Sequence, residues 1–195
     1  MRRIFLSLFV AFVAFATTFA QGESEHLTFK GVPIDGTLDE YVAKMKQAGF
    51  TYLTTYNGTA VLEGNFAGYK GCKIIVIAHT SNSKVYGVGV MFPEHESWTA
   101  LETDYDNLKL MLMQKYGEPS ECVENFHGHI TPETNNDKLH ELKMDNCTWK
   151  TTYETSKGSI CVSLSHAGLT SCYVMLCYID QLNSLAMMEN AIDDL

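Results

Sequence analysis

His127 and His129 stand one residue apart, so on an extended segment both imidazoles point the same way. His140, Glu124 and Glu141 lie close by in sequence, and imidazole with carboxylate is a donor set that zinc accepts. A metal held there would make the chain a metal-dependent hydrolase. The spacing fits no zinc signature, and polar loops commonly carry histidines without a metal. Two Cys–His combinations, Cys161 with His166 and Cys172 with His79, have the residue types of an activated nucleophile. Exported cysteines are normally oxidised, which argues for disulfides or buried thiols beside turn histidines instead. Asp193-Asp194 at the terminus reads as a solvated tail, not a calcium site. No phosphate loop or paired metal knuckle occurs, and no cofactor is implied.

Aromatic residues give a different kind of candidate. Tyr52, Thr54 and Tyr56 alternate along one strand, and Trp149, Thr151 and Tyr153 along another. Tyr and Trp bury much area while losing little rotamer freedom, which suits a binding surface. The competing reading is a sheet core with polar tips at its edge.

The start of the chain says where such a surface would work. Arg2-Arg3, an apolar run of about a dozen residues and Thr18-Phe19-Ala20 have the order of a secretion leader cut after Ala20. The run is short of the roughly 20 residues that span a bilayer. The expected mature chain, 21–195, keeps no membrane anchor and belongs to the periplasm or the medium. Loss of the two arginines takes the net charge from −9 to −11. That balance repels nucleic acid and leaves a protein or other macromolecule outside the cytoplasm as the expected partner.

The elements that hold these residues follow a weak internal repeat. Lys70-Gly71 opens an apolar run ending at His79, and a Ser-Asn-Ser turn leads through Val85-Tyr86 to Phe92. Lys157-Gly158 opens a second run ending at His166, followed by Cys172-Tyr173 and Ile179, at a constant spacing of 87 residues. Such runs, β-branched and aromatic between turn residues, read as antiparallel strands. Each set follows a helix. Thr37 and Glu40 form a capping box, and Leu38, Tyr41, Val42 and Met45 recur at helical spacing up to Gly49. Thr99 and Glu102 have the same spacing ahead of the stripe Leu101, Tyr105, Leu108 and Leu112, with Trp98 before it and Gly117 after. The helices are spaced by about 68 residues, so some 19 extra residues fall in the second half, in a polar inserted loop at about 123–146. The fold expected is α+β: two tandem units of helix plus antiparallel sheet, at about 27–92 and 93–180, ending in a short C-terminal helix.

Six cysteines permit 15 pairings. Cys122 and Cys147 flank the inserted loop, and pairing of their strands would bring them within disulfide range. The repeat, by contrast, sets Cys161 and Cys177 on opposite faces of their hairpin.

Phe29-Lys30-Gly31-Val32-Pro33-Ile34-Asp35-Gly36, Gly49-Phe50, Lys115-Tyr116-Gly117-Glu118-Pro119 and the Ala191-Ile192-Asp193-Asp194-Leu195 end resemble a group of small exported Bacteroidetes proteins without an assigned function. That resemblance implies export. In such a setting the sequons Asn57-Gly58-Thr59 and Asn146-Cys147-Thr148 would be idle. The tandem plan is similar in architecture to β-lactamase inhibitor proteins, which implies a role in binding protein. Together these readings point to an exported, non-catalytic binding protein using a sheet face and the inserted loop, with the His-loop hydrolase as its alternative.

Overall fold

The computed structural model describes residues 24–128 and 131–186. The segment 1–20, expected to be a secretion leader, together with His129 and the acidic C-terminal pair, lies outside them. The chain forms a two-stranded hairpin, β1 (Thr28–Phe29) and β2 (Val32–Pro33), and then helix α1 (Leu38–Gln47). Strands β3 (Thr51–Tyr56), β4 (Thr59–Phe66), β5 (Tyr69–Ala78) and β6 (Val85–Met91) follow. Next come α2 (Trp98–Tyr116), β7 (Glu121–Phe126), α3 (Asn135–Lys143), β8 (Cys147–Thr155), β9 (Gly158–Ala167) and β10 (Ser171–Asp180). A further helix starts at 181 and is described through 186. The protein is thus α+β, and among the described residues no helix is long and apolar enough to cross a membrane.

Eight strands make one antiparallel sheet in the order β3-β4-β5-β6-β10-β9-β8-β7. The segments 70–92 and 157–179 are both strand–turn–strand hairpins, joined through β6 and β10. The 87-residue spacing sets strand on strand but not face on face. Ile74 is buried on the helix side, whereas Cys161, 87 residues on, lies on the other side. A strand has a period of two, so an odd spacing exchanges the faces.

One register row fixes the core. Tyr52, Leu62, Ile74, Val90, Leu176, Val162, Thr151 and Cys122 succeed one another across the eight strands. Its six inner members are buried. The helices cover this side: α1 lies over β3, β4 and β5, while α2 and α3 lie over β8, β9 and β10. Between them the β1–β2 hairpin inserts Phe29, whose ring contacts Phe50, Phe66 and Tyr178.

Helix α1 begins as its sequence requires, with the Thr37–Glu40 capping box formed in both directions. Its stripe buries Leu38, Tyr41 and Met45. Helix α2 starts at Trp98 after the N-cap Ser97, where the sequence places its start, and buries Trp98, Leu101, Tyr105, Leu108 and Leu112; Thr99 and Glu102, at box spacing, lie inside the helix and do not cap it. Thr99 instead donates its hydroxyl to Asn135 of α3. The insertion is therefore not a loop throughout: α3 carries its own capping box, Thr134 with Asp137, and sinks Leu139 and Leu142 into the core.

Tyr41 is fully buried, and its hydroxyl finds no hydrogen-bond partner among the described residues. An unpaired buried hydroxyl destabilises, so Tyr41→Phe is expected to raise stability by about 1 kcal/mol. A higher urea midpoint with an unchanged slope checks this.

Candidate binding surface

Among the described residues, α1, α2 and α3 all pack on the first face of the sheet, and none lies over the second face. Its central row runs Thr54, Val61, Ile75, Gly89, Cys177, Cys161, Thr152, Glu121. Ile77, Gly87 and Ile179 form the row on one side, and Lys73, Met91 and Met175 the row on the other. Val61, Ile75, Ile77, Met91, Met175 and Ile179 are half-buried, packed sideways against one another but open above. Glycines make this packing close: a Cβ at Gly89 would stand 2.6 Å from Met175 Cε, and one at Gly87 3.0 Å from Ile179 Cδ1. Glu63, Lys73, Lys150, Glu154 and Glu121 surround the stripe with exposed charges of both signs. An apolar centre with a polar rim is the anatomy of a protein interface.

The aromatic candidates divide. Tyr56, on edge strand β3, is 75% exposed, and its register partner Thr59 places it on the open side. A bulge at Leu53 breaks the alternation, so Tyr52 pairs with Leu62 on the helix side and does not share a face with Thr54. Tyr153 is 1% exposed under α2, its hydroxyl donating to the Lys109 carbonyl at 2.9 Å. Trp149 packs edge-on to Trp98 and against Phe126. Tyr153 is therefore a core residue and Trp149 a partly buried one packed against the core, because their strand face is the one that α2 covers.

His127 shares a hydrogen bond with Thr148, and His140 stands exposed on α3. Glu124 accepts from Lys109 and Tyr105. Its partial burial pushes its pKa up, but those bonds outweigh that and hold the carboxyl below its ordinary value. Among the described residues no three His, Cys, Asp or Glu side chains gather as a metal site. His140 instead lines a cleft of about 640 Å³ with Glu96, Leu139, Lys143, Leu169 and Thr170, on the helix side of the sheet. The inserted segment and the open face thus look to opposite sides.

Neither Cys–His combination forms. Cys161 and His166 fall on opposite faces of β9, where His166 bonds to Asp145 and to the Gly168 carbonyl. His79 stacks on Tyr86 and bonds to the Asn183 carbonyl, while Cys172 sits opposite His166. The six cysteines are free thiols. Cys122 lies opposite Thr151 and Cys147 opposite Phe126, so the expected bridge between them is excluded: four residues of strand, roughly 13 Å, separate the two. The base of the insertion is Phe126–Cys147, not Cys122. Burial, then the Glu141 carboxylate, pushes the Cys147 thiol up to about 12, so it is inert at neutral pH.

A polar group that pattern-reading passes over sits under the β1–β2 hairpin, where the buried Asp180 binds His26, Leu27 and Asn183. Another joins Tyr69, Asp104 and His95, with Asp104 bonded to both neighbours. Burial, then Asp104, pushes Tyr69 up to about 12, and the buried Cys72 thiol donates to the Tyr69 carbonyl at 3.9 Å. Compared with known proteins, the chain matches no family model, no curated protein and no solved structure.

Proposed function

We propose that this chain is an exported, non-catalytic binding protein that holds a protein partner outside the cytoplasm against the uncovered face of its sheet. The observation that carries this reading is the half-buried stripe of Val61, Ile75, Ile77, Met91, Met175 and Ile179, ringed by exposed charges and, among the described residues, left without a helix. Burying such a stripe removes apolar area from water at about 25 cal/mol per Å². The alternative is the His-loop hydrolase, for which the described residues offer no gathered set of metal donors.

The tandem-unit reading, similar in plan to β-lactamase inhibitor proteins, belongs to this proposal. Its support is the mirrored strand order, with β3 to β6 on one side and β10 to β7 on the other. Export rests on the Arg2-Arg3, apolar run and Thr18-Phe19-Ala20 order.

The test immobilises the chain from Gln21 onward and exposes it to the extracytoplasmic fraction of the native cell. A protein retained by the wild type is expected to be lost, at least tenfold, from Ile75→Glu and Ile179→Glu. It should stay bound to Leu110→Glu, whose site is exposed on the outer side of α2. Circular dichroism confirms that each variant is folded. Equal retention by all three variants overturns the reading.

A further inference from the structure

Only one of the cysteine combinations is directly opposed in strand register. Cys72 lies opposite Gly64, and neither β4 nor β6 carries a cysteine. Cys147 and Cys172 are on β8 and β10, with β9 between them. Two interstrand steps make roughly 9.5 Å, beyond the roughly 7 Å limit for a disulfide. Cys122 and Cys147 are displaced along their strands as described. Cys161 and Cys177, however, are direct register partners on β9 and β10. Directly opposed residues of an antiparallel pair have Cα atoms about 4.5–5.5 Å apart, inside the roughly 4.4–6.8 Å that disulfides adopt.

Their side chains also share the open face, contrary to the opposite placement expected from the repeat. Both are partly exposed, whereas Cys72, Cys147 and Cys172 are buried. Across the pair, Cys177 has Gly89 as its other row neighbour, which offers no Cβ. Thr152 flanks Cys161.

We propose that Cys161 and Cys177 are an oxidisable pair that closes into a cross-strand disulfide at the centre of the open face. The electron acceptor is a small-molecule disulfide of the kind that equilibrates thiols outside the cytoplasm. One cysteine, as its thiolate, attacks a sulfur of that oxidant, forming a mixed disulfide and releasing one small thiolate. The second cysteine loses its proton to water and attacks the protein sulfur of the mixed disulfide. The Cys161–Cys177 bond forms and the second small thiolate leaves, so two electrons and two protons pass from the protein. Cys161 is the first attacker: burial raises both thiols, Cys177 up to about 11, but the Lys150 ammonium offsets part of this at Cys161. The inference rests on strand register and stands whether or not the face binds a protein.

The experiment uses the full chain, reduced, freed of reductant, and equilibrated with oxidised glutathione. After acid quenching, unfolding and maleimide labelling, four of the six thiols are expected to react. Peptide mapping is expected to link Cys161 to Cys177. Cys161→Ser and Cys177→Ser should each abolish the link and leave a glutathione adduct on the remaining partner. The bridged form is expected to melt about 5–10 °C above the reduced form. Six reactive thiols at saturating oxidant, a link between any other pair, or a bridged form that melts no higher than the reduced one overturns the proposal.

Discussion

Asp180→Ala is expected to lower the unfolding free energy by about 3–5 kcal/mol, the range for leaving buried partners of a charge unpaired. Asp180 ends β10 and is fully buried. Its carboxylate accepts the Asn183 backbone N–H at 2.9 Å, which caps the helix that starts at 181. It also accepts the Leu27 backbone N–H at 2.8 Å, and His26 Nδ1 lies 3.0 Å away. Asn183, itself buried, passes its amide protons to the Ile34 and Val85 carbonyls. The carboxylate thus joins the start of the described chain, the β1–β2 hairpin and the end of the sheet. Alanine leaves two backbone N–H groups unpaired in the interior and removes the cap. Asp180→Asn keeps one acceptor oxygen and is expected to cost about 1–2 kcal/mol. Urea unfolding measures both losses, and hydrogen exchange should show residues 26–34 opening before the sheet in the alanine variant. A loss below about 1 kcal/mol for Asp180→Ala would remove this carboxylate from the structural account.

Much of the sheet was readable from sequence because its strands are long, apolar and separated by turn residues. Gly49 and Gly117 end the two main helices as expected, both with positive φ. Which side of each strand the helices would cover was not readable. Alternation groups Trp149 with Thr151 and Tyr153, but only the packing of α2 shows that the group is interior. The bulge at Leu53 likewise leaves no mark in the pattern of Tyr52, Thr54 and Tyr56, since β-branched and aromatic residues suit both faces of an edge strand. The insertion concealed a helix because Asn135 and Asn136 are poor helix formers and only Leu139 and Leu142 face inward. Its legible signal was Thr134 with Asp137 at capping-box spacing, an aspartate where Glu or Gln is the usual third residue. The cysteines failed because pairing register is not written in the residue pattern. An odd register for the 157–179 hairpin would part Cys161 from Cys177, but the two are direct partners, as Ile74 and Val90 are 87 residues earlier, and a loop-base argument cannot supply the register that sets Cys122 four residues from Cys147.

The same insertion makes Trp98 the residue whose loss is expected to reach furthest. Trp98 is 1% exposed at the start of α2. Its ring meets Trp149 edge-on at 4.9 Å and Phe126 at 5.4 Å, and the Lys138 ammonium of α3 lies 5.8 Å from its centroid. It therefore fills the space shared by α2, α3 and the β7–β8 pair, where Leu139 and Leu142 are also buried. Trp98→Ala is expected to cost about 3–5 kcal/mol, through lost burial and a cavity that rigid strands close only in part. Trp98→Phe keeps an aromatic ring in place and removes the indole N–H, which has no partner among the described residues. That gain offsets part of the lost volume, so the phenylalanine variant is expected to lose less than about 1.5 kcal/mol. The chain has two tryptophans, so either variant leaves Trp149 as the sole indole emitter. In Trp98→Ala its emission should shift to the red as α3 loosens and water reaches the ring, with proteolysis beginning within 131–146. In Trp98→Phe the emission should stay near the native position. A Trp98→Ala variant that unfolds within about 1 kcal/mol of the wild type, with unshifted Trp149 emission, would show that α3 is held by contacts other than this ring.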